Sequence, residues 1–488
     1  MDRPSVFLRT SLRICLIVAS VLASVMSLTS DYNRHPDEIH HFEAAQYYIN
    51  AFLPPEIGDP AVRESYSVWG VSYLNYHWIE YFLAGKFMLL VSPLGVSELI
   101  AARFFNVVLF AGLAAFFIYR SREDDDILIL AAALVVTPQI WYVFSYVNND
   151  AFALAVSFVC ALLVVDPKGT LHRFLISSKI SDALPGGIGF GVLLGLLLIS
   201  KTNYYAFLIF LALWMLYRYP IVRIASGRLG LDLGRCRKYL VIVLTAISVL
   251  SFRIALDFHV NGETNFVGVS YLNYLTGDFE KKENRLLRYQ EDIAKPQFKP
   301  STIERDLANT HPGMRLKDKG SSYFDVFTVW RWHEMSFKSF VGVFGYMNIF
   351  APGGYYKAIA LIYAAFGAYL FVIIVIRRRR DELVVAGILL IGAAITMFIS
   401  SYLSWSYAVQ AQGRYLFPVL PMIAMFLYAV RSSVSRTILT GFVLTCFMLS
   451  VYSFIFVGLG KINSLPVPGT PVETSETAPR SVVRREQL

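Results

Sequence analysis

The chain has 488 residues, of which 56% are hydrophobic and 16% charged, with a net charge of +9 and a mean hydropathy of +0.52. Soluble domains carry about 25% charged residues, so an ordinary soluble globular protein is excluded. The positive balance lies mostly in short loops between apolar runs, where it sets topology rather than binding nucleic acid.

The first apolar run, residues 14–28, follows Arg3, Arg9 and Arg13. Lys and Arg collect on the cytoplasmic side, so the chain is expected to emerge near Ser30 on the outer face. Its basic start and the small residues near Ser27 also fit a cleaved signal peptide. The acidic motif that follows at once, and the apolar remainder, favour a retained anchor. That motif is Arg34-His35-Pro36-Asp37-Glu38-Ile39-His40-His41. Pro36 suits the first turn of a helix, and residues 37–50 read as amphipathic, with Asp37 and Glu38 in that turn.

Basic clusters then recur: Arg120 and Arg122; Lys168, Arg173 and Lys179; Arg218 through Lys238; Arg377 to Arg380; Arg431 and Arg436. Placing all of them on the cytoplasmic side requires that the run Ile79–Leu94 does not cross. It is short, carries Glu80 and Lys86 and closes at Pro93, so it is expected to lie in the outer leaflet. The expected spans are 12–29, 98–119, 127–145, 151–165, 186–200, 204–217, 239–257, 355–376, 383–402, 415–430 and 437–458. The fold class is therefore an all-α integral membrane protein of about eleven transmembrane helices, with juxtamembrane helices in two external loops. Several of the spans fall below the roughly 20 residues that cross the hydrocarbon, which predicts broken helices near a cavity.

One membrane domain, 1–460, carries external loops at about 30–94 and 258–354. The second of these is charged and partly helical over Lys281–Lys299, then aromatic, and reads as an interfacial helix followed by a re-entrant turn. Residues 461–488 read as a disordered polar tail. The four cysteines imply no disulfide framework, because none falls in an external segment. No internal repeat is evident, which weighs against inverted-repeat transporters.

The candidate chemistry sits at outer helix ends. An ionised Asp37 or Glu38 can take a proton from an incoming hydroxyl, and the helix N-terminus helps to keep it charged. His35, His40 and His41 stand near enough in sequence to hold a divalent metal with Asp37. Asp150 is either a second acidic site residue or, like Asn149, the cap of the following helix. Lys201, Arg103 and Arg414 are candidate phosphate ligands; each also suits a snorkelling role at the interface. Arg414 ranks first, since a guanidinium grips phosphate bidentately and Gly413 leaves room for close approach. The cluster Arg331-Trp332-His333-Glu334 either binds sugar or acceptor, or anchors its loop at the interface.

In combination these landmarks resemble the GT-C glycosyltransferase superfamily. They look closest to a bacterial branch of multi-pass membrane proteins that begins with a Pro-Asp-Glu-x-x-His motif, here Pro36 to His41. Pro138, Asn148-Asn149-Asp150, Lys201-Thr202-Asn203, Ser339 to Tyr346 and Gln412 to Pro418 follow in the same order. The resemblance, over about residues 30–430, implies transfer of a sugar from a polyprenyl-phosphate carrier to an envelope glycan, lipid or other acceptor. It places the site on the outside of a bacterial plasma membrane, with Asp37 as base, Glu38 beside it, and His41 among the substrate-binding candidates. Two alternatives remain open. A lipid-linked glycan polymerase or ligase would lean on Arg331 and His333, and a transporter or flippase would place its ionisable groups mid-span.

Overall fold

The computed structural model describes residues 6–76, 78–225, 228–262 and 285–464. The tail expected over 461–488 lies outside the described residues from 465 onward, as do residues 263–284 of the second external segment.

Helix α1 (Val6–Thr29) shows why this bundle needs lipid. Leu8, Leu12, Cys15, Leu16, Ala19, Ala23 and Met26 recur at helical spacing and are buried. The opposite face is not polar: Ile14, Ile17, Val21, Val25 and Leu28 are exposed. A helix of a water-soluble protein would carry charge there. Among the described residues six helices are long and apolar enough to cross a membrane: α1, Glu98–Arg120, Leu233–Asn261, Gly353–Arg377, Arg380–Ser406 and Arg436–Leu459.

In chain order α2 (Glu38–Asn50) and α3 (Trp78–Val91) follow α1, then α4 (Glu98–Arg120), α5 (Leu128–Val135) and α6 (Pro138–Val143). Helices α7 (Asp150–Val165), α8 (Leu184–Leu198), α9 (Tyr205–Arg218) and α10 (Leu233–Asn261) come next, apart from short turns. After the second external segment come α11 (Trp332–Gly342), α12 (Gly353–Arg377), α13 (Arg380–Ser406), α14 (Val419–Ala429) and α15 (Arg436–Tyr452). Strand content among the described residues is two short antiparallel hairpins, Val222–Ala225 with Arg228–Leu231 and Val343–Phe344 with Ile349–Phe350. The run expected to lie in the outer leaflet forms α3, only 14 residues long, and packs against α2 and α4.

The bundle has two chemically distinct ends. At one, the basic loops meet a small set of acids: Arg9 pairs with Asp125 at 2.6 Å, Arg431 and Arg436 with Asp126 at 2.7 and 3.0 Å, and Arg120 with Asp166. Tyr217 donates to Asp381 and Arg379 to Ser432 at the same end. The other end gathers the loop after α1, helices α2 and α3, and the described part of the segment after α10, where Tyr289 packs on Tyr66 and the Lys295 amide donates to the Val68 carbonyl.

Between α5 and α6 the helix breaks at Val136-Thr137. The Val136 carbonyl that the break frees accepts from the Tyr363 and Ser450 hydroxyls at 2.9 and 3.3 Å. Thr137 donates to the Phe340 carbonyl at 2.7 Å, and Gln139 Oε1 accepts from the Val343 amide at 3.2 Å. Irregular backbone inside an apolar bundle persists only when its polar groups are satisfied in this way. The hairpin after α11, with Val343, Phe344 and Ile349 buried, falls where a re-entrant turn was expected.

Candidate functional site

The loop leaving α1 is held by Arg103. Its guanidinium donates to the carbonyls of Ser27, Ser30 and Asp31 at 3.1, 2.7 and 2.9 Å, and to both carboxylate oxygens of Glu38 at 2.7 Å each. Five bonds use the full donor capacity of an arginine. Both side chains of the pair are fully buried. Glu38, expected beside the catalytic base, and Arg103, expected as a phosphate ligand, are thus paired with each other and brace the loop that carries Asp37.

Asp37 is not in the first helical turn. Helix α2 begins at Glu38, and Asp37 precedes it with φ 58°, in the left-handed region, while its side chain caps nothing. Its carbonyl accepts from the His40 and His41 amides at 3.1 and 3.2 Å. A non-glycine residue held there costs of order 1–3 kcal/mol, which the braced loop must supply. The result is a carboxylate 48% exposed and turned toward Arg414, 3.7 Å away.

Arg414 sits in a short 3-10 turn, Gly413–Leu416, ahead of α14. Its Nε donates to Gln412 at 2.6 Å, and the Tyr146 phenol bonds the guanidinium. Its Nη1 lies 3.8 Å from Asp150, and the side chain is only 11% exposed. Neither carboxylate comes within ordinary hydrogen-bond distance, so the guanidinium's hold on both is electrostatic and open to exchange. Gly413 makes this placement possible, because a Cβ there would meet the Phe340 amide nitrogen at 2.1 Å. Its amide donates to the Ser339 hydroxyl, which ties the turn to α11.

Asp150 opens α7 and is fully buried. The capping role expected of it or of Asn149 belongs to Asn148, whose Oδ1 accepts from the amides of Asp150 and Ala151 at 2.9 and 3.1 Å. The Asp150 carboxylate is thereby left to the Lys201 ammonium at 2.5 Å. Lys201 also donates to Asn149 Oδ1 at 3.1 Å and lies 5.4 Å from the Tyr415 ring centre. Burial pushes this ammonium below the usual lysine range, with Asp150 opposing.

Asp37, Arg414, Asp150 and Lys201, remote in sequence, thus form one chain of alternating charge. Beside it lies a narrow cleft lined by Pro36, Gln139, Tyr142, Tyr146, Gln412 and Arg414 among others. Of the nearby histidines, His35 supports its wall, and His40 and His41 lie against other partners. His35 is buried, shares a 3.0 Å hydrogen bond with the Tyr142 hydroxyl and stacks on Tyr146 at 4.7 Å. His41 bonds the Tyr81 hydroxyl at 2.7 Å and stacks on Tyr73 at 4.1 Å, while His40 faces Glu43. Among the described residues no group of three or more His, Cys, Asp or Glu is placed to hold a metal ion, so the expected grouping with Asp37 does not form. His41 is a buried supporting residue in place of the substrate ligand expected.

Arg331 and His333 stand apart from this cluster. Arg331 pairs with Glu334 and is 68% exposed, and His333 is exposed, 6.3 Å from the Phe327 ring. Between them Trp332 is buried with Leu316 and Val326, which is an anchoring arrangement for the loop. Sequence reasoning missed Tyr142 and Tyr146, and named Gln412 only as part of a motif. The i, i+4 tyrosines four and eight residues after Pro138 were the available signal.

Set beside known proteins, the chain matches no protein-family model, no curated protein and no solved structure.

Proposed function

We propose that this protein is a GT-C-like membrane glycosyltransferase that moves a sugar from a polyprenyl-phosphate carrier to an envelope glycan or lipid acceptor. One observation carries the reading: an exposed carboxylate, Asp37, faces a buried arginine, behind which a second, buried carboxylate pairs with a lysine. In the proposed step Asp37 takes the proton of the acceptor hydroxyl, whose oxygen bonds to the anomeric carbon. The bond from that carbon to the phosphate oxygen breaks, and the electron pair leaves with the polyprenyl phosphate. Phosphate is a good leaving group, so the demand is for cations where charge develops, a role suited to Arg414 and Lys201. Asp150 positions both cations.

The same reading takes the chain across the membrane about eleven times, adding α5 with α6, α7, α8, α9 and α14 to the six long helices. Its support is that successive helices run alternately between the two ends of the bundle. With the basic end cytoplasmic, the cleft faces the outside of a bacterial membrane. A polymerase or ligase reading gains nothing from Arg331 and His333, which lie away from the cleft.

The test is sugar transfer from a synthetic polyprenyl-phosphate sugar in membranes carrying the chain. Asp37→Asn is expected to lower the rate by at least about 100-fold, the usual worth of a general base, with unchanged membrane yield. Full retained activity would remove Asp37 from the mechanism.

A further inference from the structure

Glu80 has no part in the scheme above, yet it is buried and feels two charges of the same cluster. It occupies the first turn of α3 and is 2% exposed, and neither carboxylate oxygen finds a hydrogen-bond partner on another described residue. Helix α3 is pressed close to α2 at Gly85, where a Cβ would stand 2.5 Å from the Ala45 carbonyl. The charges felt there are those of Lys201 and Asp150, reached from the ends of α8 and α7. Among the described residues, Tyr48 of α2, with the Arg253–Asp257 pair of α10 beyond it, and Tyr81, bonded to His41, are further titratable neighbours.

An isolated carboxylate is expensive to bury and takes a proton instead. Burial raises the Glu80 carboxyl from its ordinary 4.5 to about 8. The charge balance of the site depends on that proton. Asp37 and Asp150 offset Arg414 and Lys201, so a neutral Glu80 leaves the cluster uncharged. An ionised Glu80 makes it net negative, next to the lysine that an anion needs.

We propose that Glu80 is the charge-setting residue of this site, holding a proton while a phosphate-bearing ligand is bound and competing for Lys201 when ionised. The proposal rests on the reading that Arg414 and Lys201 take phosphate. By linkage, an anion that favours protonated Glu80 must draw a proton from solvent as it binds.

Purified full-length protein in detergent, titrated with farnesyl phosphate between about pH 7 and pH 9, tests this, since the probe stays dianionic throughout that range. Wild type is expected to lose at least about threefold in affinity across it, a change that follows from one proton with a midpoint near pH 8. Glu80→Gln is expected to bind with nearly constant affinity. A slope that persists in Glu80→Gln belongs to Lys201 and overturns the proposal. Proton uptake by wild type on binding near pH 8, read with a dye in weak buffer, needs no variant, and its absence also overturns it. Failure to bind farnesyl phosphate at any pH would sink the phosphate-site reading itself, and with it the role of Glu80.

Discussion

Arg103 and Arg414 carry the same guanidinium, and their surroundings decide what each can bind. Arg103 spends every donor on three carbonyls and Glu38, out of contact with water. Arg414 keeps its two carboxylates at 3.7 and 3.8 Å beside a cleft. Their truncations should therefore differ in kind. Arg103→Ala strands Glu38 as a buried unpaired charge, which costs about 3–5 kcal/mol and should reduce the folded protein recovered from membranes. Arg414→Ala should leave recovery unchanged and raise the donor KM by about 10- to 100-fold, the equivalent of about 1.5–3 kcal/mol for a charged hydrogen bond. An equal effect on acceptor use would detach Arg414 from phosphate. Size-exclusion recovery and donor kinetics on the same two preparations separate these outcomes.

At the scale of elements, the site is built where helices stop. Asp37 precedes α2, Asp150 opens α7, Lys201 follows α8, and Arg414 precedes α14. Helix ends leave backbone groups to be satisfied, and neighbouring side chains that do so free the ionisable ones for chemistry. Asn148 does this for Asp150. The least tolerant junction is the turn at Gly413 against α11. Gly413→Ala places a methyl where the Phe340 backbone lies, an overpacking that costs about 1–3 kcal/mol and displaces Arg414. The expected result is a loss of transfer of about tenfold or more with a modest fall in melting temperature. Unaltered kinetics in a folded Gly413→Ala protein would mean the turn has slack that its packing does not show.

For the molecule as a whole, sidedness is the decisive property. Positive charge at one end and the ionisable cluster at the other require opposite accessibility. Single cysteines at exposed Glu64, in the first external segment, and exposed Arg173, in a basic loop, report the two ends. In intact cells an impermeant maleimide should label the first, and should reach the second only after permeabilisation. The reverse pattern would put the cleft in the cytoplasm and remove external substrates from consideration.

Composition and apolar periodicity were enough to establish a helical, lipid-facing protein, because a helix apolar on every side has only one suitable solvent. The grouping of basic loops at one end was equally legible, since it depends on local charge and on the order of spans; the left-handed placement of Asp37 ahead of α2 was not. The span count was less so: α5, α6 and α14 are short, and whether a short apolar helix crosses depends on what its neighbours provide at the break. Pairing was not legible at all. Arg103 and Arg414 read alike in the chain, Glu38 stands next to Asp37, and Glu80 looked like a reason for a helix to stay out of the membrane. Only packing decided which of these charges saturate one another, which face a cleft, and which is buried alone, because the cost and use of a charge depend on neighbours brought from distant parts of the chain.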